Sequence, residues 1–214
     1  MMKIKQIRNK VAIVFVMLLS VVTLPTIQAD EHEMPEPQAI VKAASDDMLQ
    51  ALQDNKVELE QDPSVIYGLV QDIIMPYFDF GKMSKLALGK NWRNANELQR
   101  ERFTEEFRLL LVRTYSTAML EYADEEIRMK PFHDDLSKKK VKVGLEIIQP
   151  GGPSIPMTLS MYLNKAEEWK VFDVKIDGIS LITVHRKNFS TQIRNDGMDK
   201  FIDDIAIRNE KIKA

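Results

Sequence analysis

The sequence predicts an α+β domain: a twisted antiparallel sheet of about four strands, with helices packed on its inner face. Three observations carry that prediction. Apolar residues recur at helical spacing through the first half, the period changes from 3.6 to 2 near Glu126, and helical spacing returns after Ser180. Helices, then a meander, then helices again is the order of an α+β domain, and no parallel α/β pattern is present.

The elements follow in order. Residues 30–37 (DEHEMPEP) are acidic and proline-bearing and read as a disordered lead-in. From Gln38, the apolar residues Ile40, Val41, Ala44, Met48, Ala51 and Leu52 share one helical face. Asp62-Pro63 predicts a helix start, with Asp as N-cap and Pro at the first helical position; Pro76 ends it. A short helix over Asp79–Leu88 stops at Gly89, a natural C-terminal cap. Asn96 and Gln99 form a capping box in which Asn replaces the usual Ser or Thr. The long helix behind it carries Phe103, Phe107, Leu110, Leu111, Tyr115, Ala118, Met119 and Tyr122 on a wide apolar stripe. Strands are predicted over Ile127–Phe132, over Val141, Val143, Leu145 and Ile147, over Ile155 to Leu163, and over Trp169–Ile176. Pro150-Gly151-Gly152-Pro153 and Asn164–Glu167 supply the turns. Ser180–Asn195 and Met198–Ile212 close the chain as two helices separated by Gly197, with Ser180 as the N-cap of the first.

The start of the chain is of another kind. Lys3, Lys5, Arg8 and Lys10 precede the apolar run Val11–Val22, and Ala29 offers a small residue at an exit point before Asp30. Basic region, short apolar core and small-residue exit predict a cleaved signal peptide over residues 1–29; the 12-residue run is short of the roughly 20 needed to span a bilayer. Residues 30–214 are then a single domain. Four of the 30 basic residues and none of the 32 acidic ones lie in residues 1–29, so the net charge of −2 becomes −6 after cleavage. An acidic domain argues against a nucleic-acid partner. The absence of cysteine excludes disulfides, thiolate zinc sites, a thiol nucleophile and a lipidated N-terminal Cys. An exported, cysteine-free domain fits a bacterial periplasm.

A search for chemistry returns little. His32, His133 and His185 are isolated from one another and from metal-ligand spacings. Gly178-Ile179-Ser180 opens like a nucleophile elbow but lacks the closing glycine, and Gly81-Lys82 lacks the rest of a phosphate loop. No catalytic residue and no metal ligand is assigned. What the sequence offers is apolar excess on facing elements. Beyond Met1, Met2 and Met17, nine methionines remain, including Met157 and Met161 on one strand and Met119 on the long helix. Unbranched thioethers suit a pocket for flexible tails, though ordinary core filling is their commoner use.

An ordered series of motifs joins these elements. Tyr77-Phe78-Asp79-Phe80, Met83-Ser84, Leu88-Gly89, Trp92-Arg93, Gln99-Arg100, Phe103, Phe107-Arg108 and Leu110 to Tyr115 are followed by Trp169 to Val174, Asp177 to Leu181, Arg186, Phe189 and Gly197. Over roughly residues 40–210 the chain resembles the MlaC, or toluene-tolerance, family. His185 and Phe172 depart from it, standing where that family commonly has tyrosine.

The resemblance implies a periplasmic phospholipid carrier of Gram-negative bacteria. Its implied fold is partly like that of nuclear transport factor 2, with acyl tails held between sheet and helices. It implies two partners, an outer-membrane lipoprotein–porin complex and an inner-membrane ABC transporter with an MCE-domain subunit, and a role in outer-membrane lipid asymmetry. No cofactor is implied beyond phospholipid as cargo, and a monomer without enzymatic activity is expected. Two tails of about 30 methylenes lose on the order of 20–25 kcal/mol in water, so both must be hidden, which calls for a cavity of about 1,000 Å³ or more.

Alternation assigns the strand walls to Val143, Leu145, Ile147, Met157, Leu159, Met161, Phe172, Val174 and Ile176. Phe103, Phe107, Leu111, Tyr115 and Met119 face them from the long helix. Lining and solid core share this signature. Asp79, Arg93, Arg108, Asp173 and Arg186 read as structural pairs. Two other classes stay open: a small enzyme, which would need a His/Asp or Tyr/Asp pair pointing into the cavity, and an adaptor that docks to the transporter without cargo.

Overall fold

The structure, a computed structural model, describes residues 34–121 and 125–213, which belong to one compact unit beginning at Met34. The predicted signal peptide, residues 30–33 and Tyr122 of the predicted long-helix stripe lie outside the described residues.

Helix α1 (Glu36–Asp54) starts earlier than predicted, because Pro37 lies in the first turn, where a missing N–H costs nothing. Residues 36 and 37 are therefore helical, not part of a disordered lead-in. Helices α2 (Lys56–Gln61) and α3 (Val65–Ile73) follow. Asp62 and Pro63 lie in the turn ahead of α3, not at its N-cap and first position, which are Ser64 and Val65; the Asp62 carboxylate accepts from Ser64 N–H at 2.9 Å. Helix α4 (Phe80–Leu88) is capped by Asp79, which accepts from Lys82 N–H at 2.8 Å. It ends at Gly89, whose φ of 57° is left-handed and whose missing Cβ would lie 3.5 Å from Arg186. After α5 (Asn91–Asn94), the capping box is reciprocal: Gln99 N–H donates to Asn96 at 2.8 Å and Asn96 N–H donates to Gln99 at 3.0 Å. It opens α6 (Glu97–Glu121), the 25-residue helix on which the architecture turns.

The sheet has five strands in the order β1 (Glu126–Met129), β2 (Lys140–Ile148), β3 (Ile155–Leu163), β4 (Trp169–Ile176) and β5 (Ile179–Ser180), all antiparallel. The fifth, two residues long, was not predicted. Ser180 also caps α7 (Leu181–Asp196), accepting from Thr183 N–H at 3.1 Å, and α8 (Met198–Lys213) follows Gly197.

One irregularity in the sheet matters. Ser160 pairs with Asp173, but the next residue, Met161, pairs with Val171, so Phe172 is an extra residue in β4. A bulge of this kind bends its strand and switches the facing of residues before it. Trp169, Val171 and Val174 are the buried residues of β4, and Phe172 leaves the inward set.

Buried side chains form three clusters. The first gathers Phe103 and Phe107 of α6 with Leu88, Ile182, Phe189, Phe201, Ile202 and Ile205, all from helices. Phe103 stacks on Phe107 at 5.4 Å and meets Phe189 edge-on at 5.6 Å. The second cluster is the inner sheet face with Val41 of α1, and the third joins α1, α2, α3 and the later part of α6 through Met48, Leu52, Leu59, Ile66, Val70 and Val112.

His185 lies against the first cluster, 5.2 Å from both Phe107 and Phe189, with a buried Nε2 that has no partner. Burial, with Arg208 adding repulsion, lowers its pKa. The unfolded chain therefore binds the proton more readily than the folded one. The contribution of His185 is complete above its ordinary pKa of 6.5 and is lost as pH falls through that value toward the folded one. Wild type should lose urea resistance more steeply than a His185→Gln variant between about pH 7.5 and pH 5; equal slopes would show that the proton is not felt there.

Candidate functional site

Between the second and third clusters the packing is incomplete. A cavity of about 460 Å³ lies there, bordered by the sheet on one side and by α1, α3, the Met75–Phe80 segment, α4 and α6 on the others. Its lining is hydrocarbon and thioether apart from the hydroxyls of Ser45, Ser116, Tyr77 and Tyr115. Burial pushes the Tyr115 phenol above its usual pKa. Six of the nine methionines beyond the predicted signal peptide border the space: Met48, Met75, Met83, Met119, Met157 and Met161.

The register orients the cavity. Val141 pairs with Met161, Val143 with Leu159, Leu145 with Met157 and Ile147 with Ile155, running from deep to shallow. Val141, Val143 and Met161 are at most 3% exposed, whereas Ile147, Ile155 and Ile127 are only half-buried. Along α6, Leu111 and Val112 are buried and Tyr115 and Met119 half-buried. The open end thus lies toward the β2–β3 turn and the C-terminal end of α6.

Of the fourteen residues assigned from sequence, ten border the cavity: Leu111, Tyr115, Met119, Leu145, Ile147, Met157, Leu159, Met161, Val174 and Ile176. Four do not. Phe103 and Phe107 sit in the helical cluster, because α6 is buried on more than one side; Leu110, Leu111 and Val112 are consecutive and all buried, so its first half meets α4, α7 and α8 and its second half meets the cavity. Val143 is filled in by the sheet-side cluster where α1 crosses β2. Phe172 is turned out by the bulge and packs edge-on against Tyr162 at 5.9 Å.

The helices before α6 supply walls that the sequence reading left unassigned, among them Val41, Ala44, Met48, Val70 and Met83. Their amphipathic stripes were visible; that the stripes faced the same space as the sheet was not. The volume is also about half of what two enclosed tails were expected to need.

Of the five polar motif residues expected to be structural pairs, four serve the scaffold and Arg93 does not. Asp79 uses both carboxylate oxygens, one on Lys82 N–H and one on the Tyr162 hydroxyl, and the Lys82 ammonium lies 2.8 Å from the centre of the Tyr162 ring. Burial and then the Asp79 carboxylate push the Tyr162 phenol up to about 12. This Tyr/Asp pair does not border the cavity, which is where the enzyme reading would require it. Asp173 accepts from Ser180 at 2.8 Å and from Ile182 N–H at 3.3 Å; Arg186 donates to Leu86 C=O at 2.7 Å; Arg108 pairs with Glu105; and Arg93 is exposed. Among the described residues there is no cluster of metal-ligating side chains, and no helix is long and apolar enough to cross a membrane.

A bent antiparallel sheet and a set of helices around an apolar hollow define an α+β protein with an internal chamber for an apolar guest. The sequence model of the family described as MlaC protein matches residues 42–206, and the chain belongs to that family. It is 25% identical over 191 residues to the intermembrane phospholipid transport system binding protein MlaC of Haemophilus influenzae, covering 88% of this chain and 89% of that one. It is 29% identical over 170 residues to toluene tolerance protein ttg2D of Pseudomonas putida, covering 78% of each. Among solved structures it is similar to a phospholipid-binding protein from Ralstonia solanacearum in complex with a phospholipid, with a TM-score of 0.75 and 25% identity over 83% of this chain and 98% of that one.

Proposed function

We propose that this protein is a soluble periplasmic phospholipid carrier. Residues 1–29 export it as a cleaved signal peptide, and residues 30–214 work as one monomeric domain. It takes up phospholipid at one membrane complex and releases it at another, between an outer-membrane lipoprotein–porin complex and an inner-membrane ABC transporter with an MCE-domain subunit. Outer-membrane lipid asymmetry is maintained as a result. It performs no catalysis and needs no cofactor; the lipid is its cargo. The observation that carries this reading is the apolar cavity, open at one end. The phospholipid complex of the Ralstonia relative and the intermembrane transport role in the name of the Haemophilus relative support it.

The chemistry agrees. Tails enter a carbon-lined space while the headgroup stays in water at the open end, so little headgroup recognition is required. Six methionines with three rotatable bonds each let a chamber of about 460 Å³ widen around a guest at little rotamer cost. Mass spectrometry of an organic extract of the purified protein should return near-stoichiometric phospholipid. An extract without lipid would leave the adaptor reading in its place.

A further inference from the structure

Ser116 stands out among the groups bordering the cavity. It is 1% exposed, and its Oγ is buried without a hydrogen-bond partner. Ser45, the other wall serine, donates to Val41 C=O of its own helix at 2.8 Å. A buried hydroxyl left unpaired opposes folding, and alanine at this helical position would be the better helix former. The surrounding wall is Val112, Tyr115 and Met119 from the same helix, and Val70 from α3.

Depth selects what the hydroxyl can meet. Met119 lies toward the open end, and Ser116 is three residues, about 4.5 Å, further in along α6. A glycerophospholipid with its headgroup in water offers hydrogen-bond acceptors at only one level inside the opening, the two ester carbonyls that join glycerol to the tails. Below them the guest is hydrocarbon.

We infer that the Ser116 hydroxyl donates a hydrogen bond to an ester carbonyl of the bound lipid, setting its depth and favouring ester-linked over ether-linked phospholipid. The inference rests on the carrier reading above. Ser116 is a specificity-determining residue in this account, and the ligand class is diacyl glycerophospholipid.

The test is a competition on the full mature protein between diacyl- and dialkyl-phosphatidylglycerol of equal chain length, read by mass spectrometry of the bound fraction. Wild type should favour the diester about fivefold, the worth of one neutral hydrogen bond. Ser116→Ala should bind both alike, as should Ser116→Cys, which keeps the volume with a weak donor. Ser84→Ala removes another fully buried, unpaired hydroxyl that does not border the cavity, and should keep the preference. Infrared spectra of the bound diester should show a hydrogen-bonded carbonyl band in wild type that Ser116→Ala lacks. Equal binding of the two lipids by wild type, or an unchanged preference in Ser116→Ala, overturns the inference and leaves the carrier reading intact. Failure of wild type to bind either lipid overturns the carrier reading itself.

Discussion

A Leu159→Gln variant is expected to fold and to purify with less than about a fifth of the wild-type lipid. Leu159 is 9% exposed, sits mid-strand on β3 and borders the cavity. A glutamine amide there faces thioether and hydrocarbon, with no designed partner, and burying an unpaired amide costs roughly 1–3 kcal/mol against a guest that covers it. Each 1.4 kcal/mol is tenfold in affinity, so retention should fall about fivefold to 150-fold. In the empty chamber the amide keeps access to water through the open end, so the fold survives. Far-ultraviolet circular dichroism should match wild type while the extracted lipid per protein drops. Undiminished lipid would mean that this wall does not touch the cargo.

Phe103→Ala should produce the opposite pattern. Phe103 is fully buried in the helical cluster, in ring contact with Phe107, Phe189 and Phe201, and does not border the cavity. Truncating such a ring leaves a void and costs about 3–5 kcal/mol. Urea unfolding should shift by that amount, while lipid per folded molecule stays at the wild-type level. A loss of lipid at equal folded fraction would show that the two clusters act as one. The pair of variants separates the stability of the molecule from its cargo: one cluster is packed solid, and the other is left incomplete.

The fold was legible in the sequence because its signals are local. The reciprocal Asn96–Gln99 cap, the Ser180 cap and the Gly89 stop each depend on residues a few positions apart, and each forms as the local chemistry predicts. The sheet alternation in β2 and β3 was equally direct. The site was legible in part. Periodicity says which side of a strand or helix turns inward, but not whether the inward side meets a neighbour or a hollow; Val143 and Leu145 carry the same signature, and only the second borders the cavity. Phe103 and Leu111 are both buried on α6, and what distinguishes them is which distant helices arrive, a matter of tertiary packing. Phe172 was lost to a different cause. Strict alternation counted back from Val174 places it inward, and one extra residue in the strand reverses that placement.

That extra residue has a consequence for how such chambers diversify. The bend it puts into β4 helps hollow the sheet, and the bend comes from a count, one residue more on this strand than on its neighbour, not from any particular side chain. The lining can drift from methionine to leucine to phenylalanine, and the guest with it, while the hollow persists. A single deletion at Phe172 would take out the bend while strict alternation back from Val174 keeps Val171 and Trp169 inward, so the vessel would change shape without a change of wall. Ancestry in this fold is then best traced by spacing, and cargo by composition.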